Sequence, residues 1–258
     1  MTKHHSVFYS IFGVALLFGG CLFSPVALAQ DKMDSSETHS KHEYTLTILG
    51  VDDPALKPVT DGLQRDFQGC YSRLIKRFGN LKHPTPDNIV ITFEKGMDHP
   101  AHAVGDTLTF STEWFQKHPE DLGVLTHELT HIVQHYPDGG VGWLVEGIAD
   151  YSRFKYGAGE GWKLPESVRP KDNYTNAYRV TARFLLWIEK RHDKKFVDKV
   201  HKKLQAGTFK VEDIQKITGK TVEELWEEYA ADVKFKPEPP KAIEPSKLRR
   251  KLSDTKSP

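Results

Sequence analysis

Five consecutive residues, His127-Glu128-Leu129-Thr130-His131, have the types and spacing for metal chemistry. On a helix, positions four apart return to one face, so both imidazoles can address a single cation while Glu128 lies beside it. Histidine nitrogens are good zinc donors, and the intervening carboxylate is placed to act as a general base. A catalytic zinc keeps one coordination position open, so a site of this kind needs a third protein ligand. The chain holds 13 histidines in 258 residues, and the five-residue pattern arises by chance in roughly a few such chains per hundred. Its surroundings must therefore support it.

That support begins at Gly142-Trp143-Leu144-Val145-Glu146-Gly147-Ile148-Ala149-Asp150-Tyr151, a second helical stretch following the Gly139-Gly140 break. Glu146 is the natural third ligand. Asp150 falls one turn later on the same face, where it can accept the spare ring proton of a zinc-bound histidine and fix its tautomer. Solvated helix carboxylates are the bland alternative, but Leu144, Val145, Ile148 and Ala149 embed both residues in apolar sequence.

His127 to Gln134, then Trp143 to Tyr151, then Tyr178-Arg179-Val180-Thr181-Ala182-Arg183-Phe184-Leu185 together resemble the plant and bacterial basic secretory protein family. The likeness runs from about Tyr44 to Val233 and includes Thr218 to Trp226. It implies a gluzincin-like zinc metallopeptidase with a zincin-like fold, acting on peptide or protein substrates. Such enzymes commonly supply a Tyr or His from the downstream helical half to stabilise the oxyanion. Tyr178 is the first choice, with Tyr151 and Tyr174 as rivals and simple packing as the alternative. Arg183 either grips a substrate carboxylate or pairs with a core acid such as Asp150. The family's "basic" label does not describe this chain, whose formal net charge is +1.

Elements must hold these groups in place. Tyr44 to Val51 reads as a strand, and Leu63, Phe67, Tyr71, Leu74 and Phe78 recur at helical spacing. Ile89 to Phe93 reads as a buried strand and Leu108 to Ser111 as a half-exposed one, a candidate edge for an extended substrate. Helices are expected over Leu122 to Tyr136, from Val141, over Asn176 to Arg191 and after Asp193. Thr221 and Glu224 have capping-box spacing ahead of a last helix bearing Leu225, Trp226 and Tyr229. The expectation is an α+β domain over residues 43–233, with a small mixed sheet and a mostly helical C-terminal half. His99 and His102 read as surface histidines, because no ligand set is completed around them.

Residues 1–29 read as a signal peptide: Lys3, an apolar run from Val7 to Leu28, and Ala27-Leu28-Ala29 before Gln30. An uncleaved anchor and a lipoprotein signal ending at Cys21 are the competing readings. The expected location is secreted or periplasmic, or anchored at Cys21, with no membrane span after signal cleavage. Residues 30–42 read as a flexible lead-in and 234–258 as a disordered Pro/Lys-rich tail. Cleavage leaves Cys70 alone, on an apolar helical face where a buried thiol outweighs a nucleophile. Lys and Arg number 36 against 35 Asp and Glu, so no global field favours nucleic acid. The sequence thus points to a secreted zinc-dependent peptidase with Glu128 as base. Two alternatives remain open: a weakly catalytic or non-catalytic defence or cell-wall-binding protein, and a peptidase for glycosylated peptides.

Overall fold

The computed structural model describes residues 43–80, 82–158 and 161–238. The signal peptide, the lead-in to residue 42, Cys21 and the tail from 239 lie outside the described residues. The chain begins as a strand, β1 (Thr45–Leu49), followed by the long helix α1 (Lys57–Phe78). All five residues expected on the apolar face of α1 are buried. The helix stops at Gly79, whose N–H closes on the Ile75 carbonyl, and a Cβ there would sit 2.4 Å from that oxygen.

Three further strands, β2 (Asn88–Glu94), β3 (Ala101–Val104) and β4 (Thr107–Ser111), complete a four-stranded mixed sheet in the order β1-β2-β4-β3. β1, β2 and β4 run parallel, and β3 pairs antiparallel to β4. The expected edge strand lies elsewhere. The Leu108 to Ser111 strand is internal; the edges are β1 and β3, and β3 carries His102. Ala-His-Ala-Val has no apolar alternation to announce a strand; its pairing with β4 makes it one, the chain reversing at Gly105 with φ of +62°.

A short helix, α2 (Thr112–Lys117), leads to α3 (Val124–Gln134) and α4 (Gly142–Tyr156). Four helices follow: α5 (Tyr178–Arg191), α6 (Phe196–Gln205), α7 (Glu212–Thr218) and α8 (Val222–Ala231). The described fold is therefore α+β with a mostly helical second half, and no described helix is long and apolar enough to cross a membrane. At α8 the capping box forms in both directions: Thr221 Oγ1 accepts from the Glu224 N–H and Glu224 Oε2 from the Thr221 N–H. Packing continues past Val233, because Phe235 is buried and its carbonyl accepts from Arg183.

Two arrangements place the central helices. α4 packs on both α3 and α5, and its approach to α5 depends on Gly147, where a Cβ would lie 2.3 Å from Thr181 Cγ2. Arg77 of α1 donates to Tyr151 and Tyr156 of α4, Glu189 of α5 and Asp198 of α6, so one guanidinium ties four helices together. Such a partly buried charge is tolerable only because its donors are satisfied.

His201 of α6 is a second buried tie. One ring nitrogen lies 2.9 Å from the Phe78 carbonyl at the end of α1, and the other 2.8 Å from the Tyr136 hydroxyl. Burial pushes its pKa down to about 4, from an ordinary value of 6.5. Between those values the unfolded chain takes up a proton that the native state refuses, so the contribution of this residue is complete above pH 6.5 and is lost as pH falls towards 4. Urea unfolding across that window should show wild-type losing up to about 3 kcal/mol that His201→Gln does not lose. Parallel pH profiles for the two proteins would contradict the assignment.

Candidate metal centre

α3 has no side-chain cap at Gly123, and it ends immediately after the histidine pair because His135 turns left-handed, with φ of 40°. Across from it, α4 starts after the positive-φ pair Gly139 and Gly140. The two helices bring His127, His131 and Glu146 together, with one donor atom from each mutually within 4.8 Å. His127 Nε2 lies 3.1 Å from His131 Nε2 and 3.2 Å from Glu146 Oε2, and His131 Nε2 lies 3.6 Å from the same oxygen. Tetrahedral zinc bonds of about 2.0–2.1 Å put neighbouring ligand atoms about 3.3 Å apart. The three donors match that spacing.

The outer ring nitrogens explain why the inner ones are available. His127 Nδ1 donates to Asp150 Oδ1 at 2.7 Å, and His131 Nδ1 donates to Gln134 Oε1 at 2.9 Å. Gln134 is oriented by its own amide, which donates to the Val145 carbonyl at 3.0 Å. With both Nδ1 protons committed, the neutral rings turn Nε2 lone pairs towards each other at 3.1 Å. A proton or a metal cation must occupy that space. The ionisation equilibria say the same: burial opposes the charged form of His127, yet its hydrogen bonds to the Asp150 and Glu146 carboxylates raise its pKa to about 10. Burial likewise opposes the Glu146 carboxylate, yet His127 and His131 hold it at about 2. The donor set fits a divalent ion.

A cavity of about 910 Å³ opens over this cluster, with Glu128, Tyr178 and Arg179 in its wall and the β3 edge on another side. Glu128 itself is buried. The Tyr178 ring lies nearly parallel to that of His127, 14° apart at 6.1 Å between centroids, and is 54% exposed. Its rivals are elsewhere: Tyr151 is bound to Arg77 and Glu189, and the Tyr174 hydroxyl donates to Glu223. Burial, then the charges of Glu146, Asp150 and Glu128, push the Tyr178 phenol upward, which keeps its proton available for donation.

Arg183 lies outside this group. It is 2% exposed and donates to the Tyr229 hydroxyl and to the Glu166 and Phe235 carbonyls, not to Asp150. His99 and His102 approach each other at 3.0 Å in the cavity wall but belong to no three-ligand cluster among the described residues. Cys70 is buried, and burial pushes its thiol up to about 12, so it is no nucleophile. The sequence reading overlooked Gln134 and Arg179. The three-residue step from His131 to Gln134 was the available signal for the first.

Tyr178 reaches the cavity through a strained backbone. Ala177 has φ of 59° and ψ of −167°, a region populated almost only by glycine, and Tyr178 follows at φ of 46°. Ala177→Gly should therefore raise stability by about 1 kcal/mol, against the usual loss for this exchange. Chemical denaturation decides between them, and an ordinary loss would mean the strain is not there.

The BSP family model, described as peptidase of plants and bacteria, matches residues 34–229, a span that contains every residue of the centre. No curated protein matches the chain.

Proposed function

We propose that this chain, which belongs to the BSP family of plant and bacterial peptidases, hydrolyses peptide bonds with a zinc ion held by His127, His131 and Glu146 in a zincin-like fold. The observation that carries the reading is the convergence of three donor atoms whose outer partners, Asp150 and Gln134, have already fixed the imidazole tautomers. Zinc held there supplies Lewis acidity, acidifying a water and polarising the scissile carbonyl.

The remaining steps fall to the chain. Glu128, between the two histidines and in the cavity wall, takes the proton of the attacking water and delivers it to the departing amine. The Tyr178 hydroxyl donates to the carbonyl oxygen as negative charge develops on it. The exposed side of β3 offers main-chain groups along which an extended peptide can align. Asp150 keeps His127 oriented throughout, and Gln134 does the same for His131. The presence of Glu128 favours turnover over a purely binding role, since a binder needs no general base.

The purified protein should contain close to one zinc per chain, and chelation should abolish peptide cleavage. Glu128→Gln should retain zinc while losing roughly 10²- to 10⁴-fold in turnover. Undiminished cleavage by that variant would sink the mechanism.

The proposed setting is outside the cytoplasm, supported by the charged start, apolar run and Ala27-Leu28-Ala29 site of residues 1–29. Mass spectrometry of the mature protein should find Gln30 at the amino terminus. A lipid-modified Cys21 would instead assign an anchored form, and an intact Met1 would remove the export reading.

A further inference from the structure

Two guanidinium groups in the cavity wall have no role in the mechanism above. Arg153 pairs with Asp121 and lies over the Trp162 ring at 4.5 Å, yet its Nε has no hydrogen-bond partner although the side chain is only 9% exposed. Arg179 lies in the first turn of α5 and makes no hydrogen bond or ion pair among the described residues. That turn contains no acidic residue, so the cation sits at the positive end of the helix dipole with no carboxylate from its own turn. The two arginines also repel one another: burial pushes Arg153 below the usual guanidinium range, and the Arg179 charge adds to that effect.

Carboxylates share the cavity wall, Glu128 among them, but none among the described residues bonds to Arg179. Asp150 serves His127, Glu146 faces both ligand histidines, Asp121 is taken by Arg153 and Trp114, and Glu120 faces His118 at 3.8 Å. An anion arriving from outside would meet the planar fork of Arg179, the first N–H groups of α5, which have no side-chain cap, and the charge of Arg153. We propose that Arg179, backed by Arg153 and the first turn of α5, forms a subsite for a peptide carboxylate beside the metal centre.

This subsite names a substrate class for the peptidase reading and rests on it, but the two can be separated by measuring binding and cleavage independently. The probes are fluorescent peptides of one sequence: an amidated form with Glu flanking the cleavage position, its Gln counterpart, and the Gln peptide with a free C-terminal carboxylate. Binding is read by anisotropy on the zinc-loaded Glu128→Gln protein, which spares the peptide, and cleavage on the wild-type chain. At least one carboxylate peptide should bind roughly tenfold tighter than the neutral amide. Which one it is distinguishes a side-chain from a terminal carboxylate. Adding Arg179→Ala should bring the ratio near unity, Arg179→Lys should retain part of it, and raised salt should weaken it.

Equal affinities in the parent protein would overturn the proposal, as would a preference that survives Arg179→Ala. Reduced zinc affinity in Arg179→Ala with the peptide ratio intact would also overturn it, reassigning the guanidinium to the carboxylates of the metal centre. A retained carboxylate preference with no cleavage of any peptide would support the subsite and tell against the peptidase reading.

Discussion

Asp150 on α4 meets His127 on α3 at 2.7 Å, while Gln134 on α3 reaches back to the Val145 carbonyl of α4 at 3.0 Å. The two bonds cross the same helix pair in opposite directions. Each also has its second end at the centre: Asp150 sets one imidazole, and Gln134 sets the other through His131. The helix interface and the donor geometry are therefore one set of contacts. A disturbance of either helix would be felt as a misplaced nitrogen before it was felt as a loss of packing. Arg77, which holds Tyr151 one residue beyond Asp150, extends that constraint into α1, α5 and α6.

His127, His131, Glu146 and Asp150 were legible because each pair repeats at the helical period, and a period converts directly into a shared face. α1 was legible for the same reason. Gln134 was harder, since its two partners are a ring three residues back and a carbonyl on another helix. β3 was missed because pairing with β4 defines it, not apolar alternation. Arg183 could not be placed from its segment, because its partners come from Tyr229 and Phe235, 46 and 52 residues away. Phe235 was hidden by a Lys- and Pro-rich neighbourhood that reads as solvated.

The lip of the cavity contrasts with its floor. On the floor, His127, His131, Asp150 and Gln134 are paired with one another; at the lip, Ala177 and Tyr178 occupy unfavourable backbone regions and Arg179 makes no ion pair among the described residues. Local conflict of this kind persists when the surrounding fold imposes it, and it concentrates where a protein meets its ligand. Here the imposing element is α5, whose body is anchored by Phe184, Leu185 and Ile188 in the core.

Gly147 sits between these two regimes. It follows Glu146 directly, and Thr181, which would collide with any Cβ there, is itself buried with its hydroxyl bound to the Tyr174 carbonyl. The distance from the floor of His127, His131 and Glu146 to the lip is thus gauged by one missing methyl group. Changes at positions 147 and 181 cannot be independent in their effects, because either residue's size is tolerable only in view of the other. The α4–α5 spacing beside the cavity can consequently drift only if both positions change in concert.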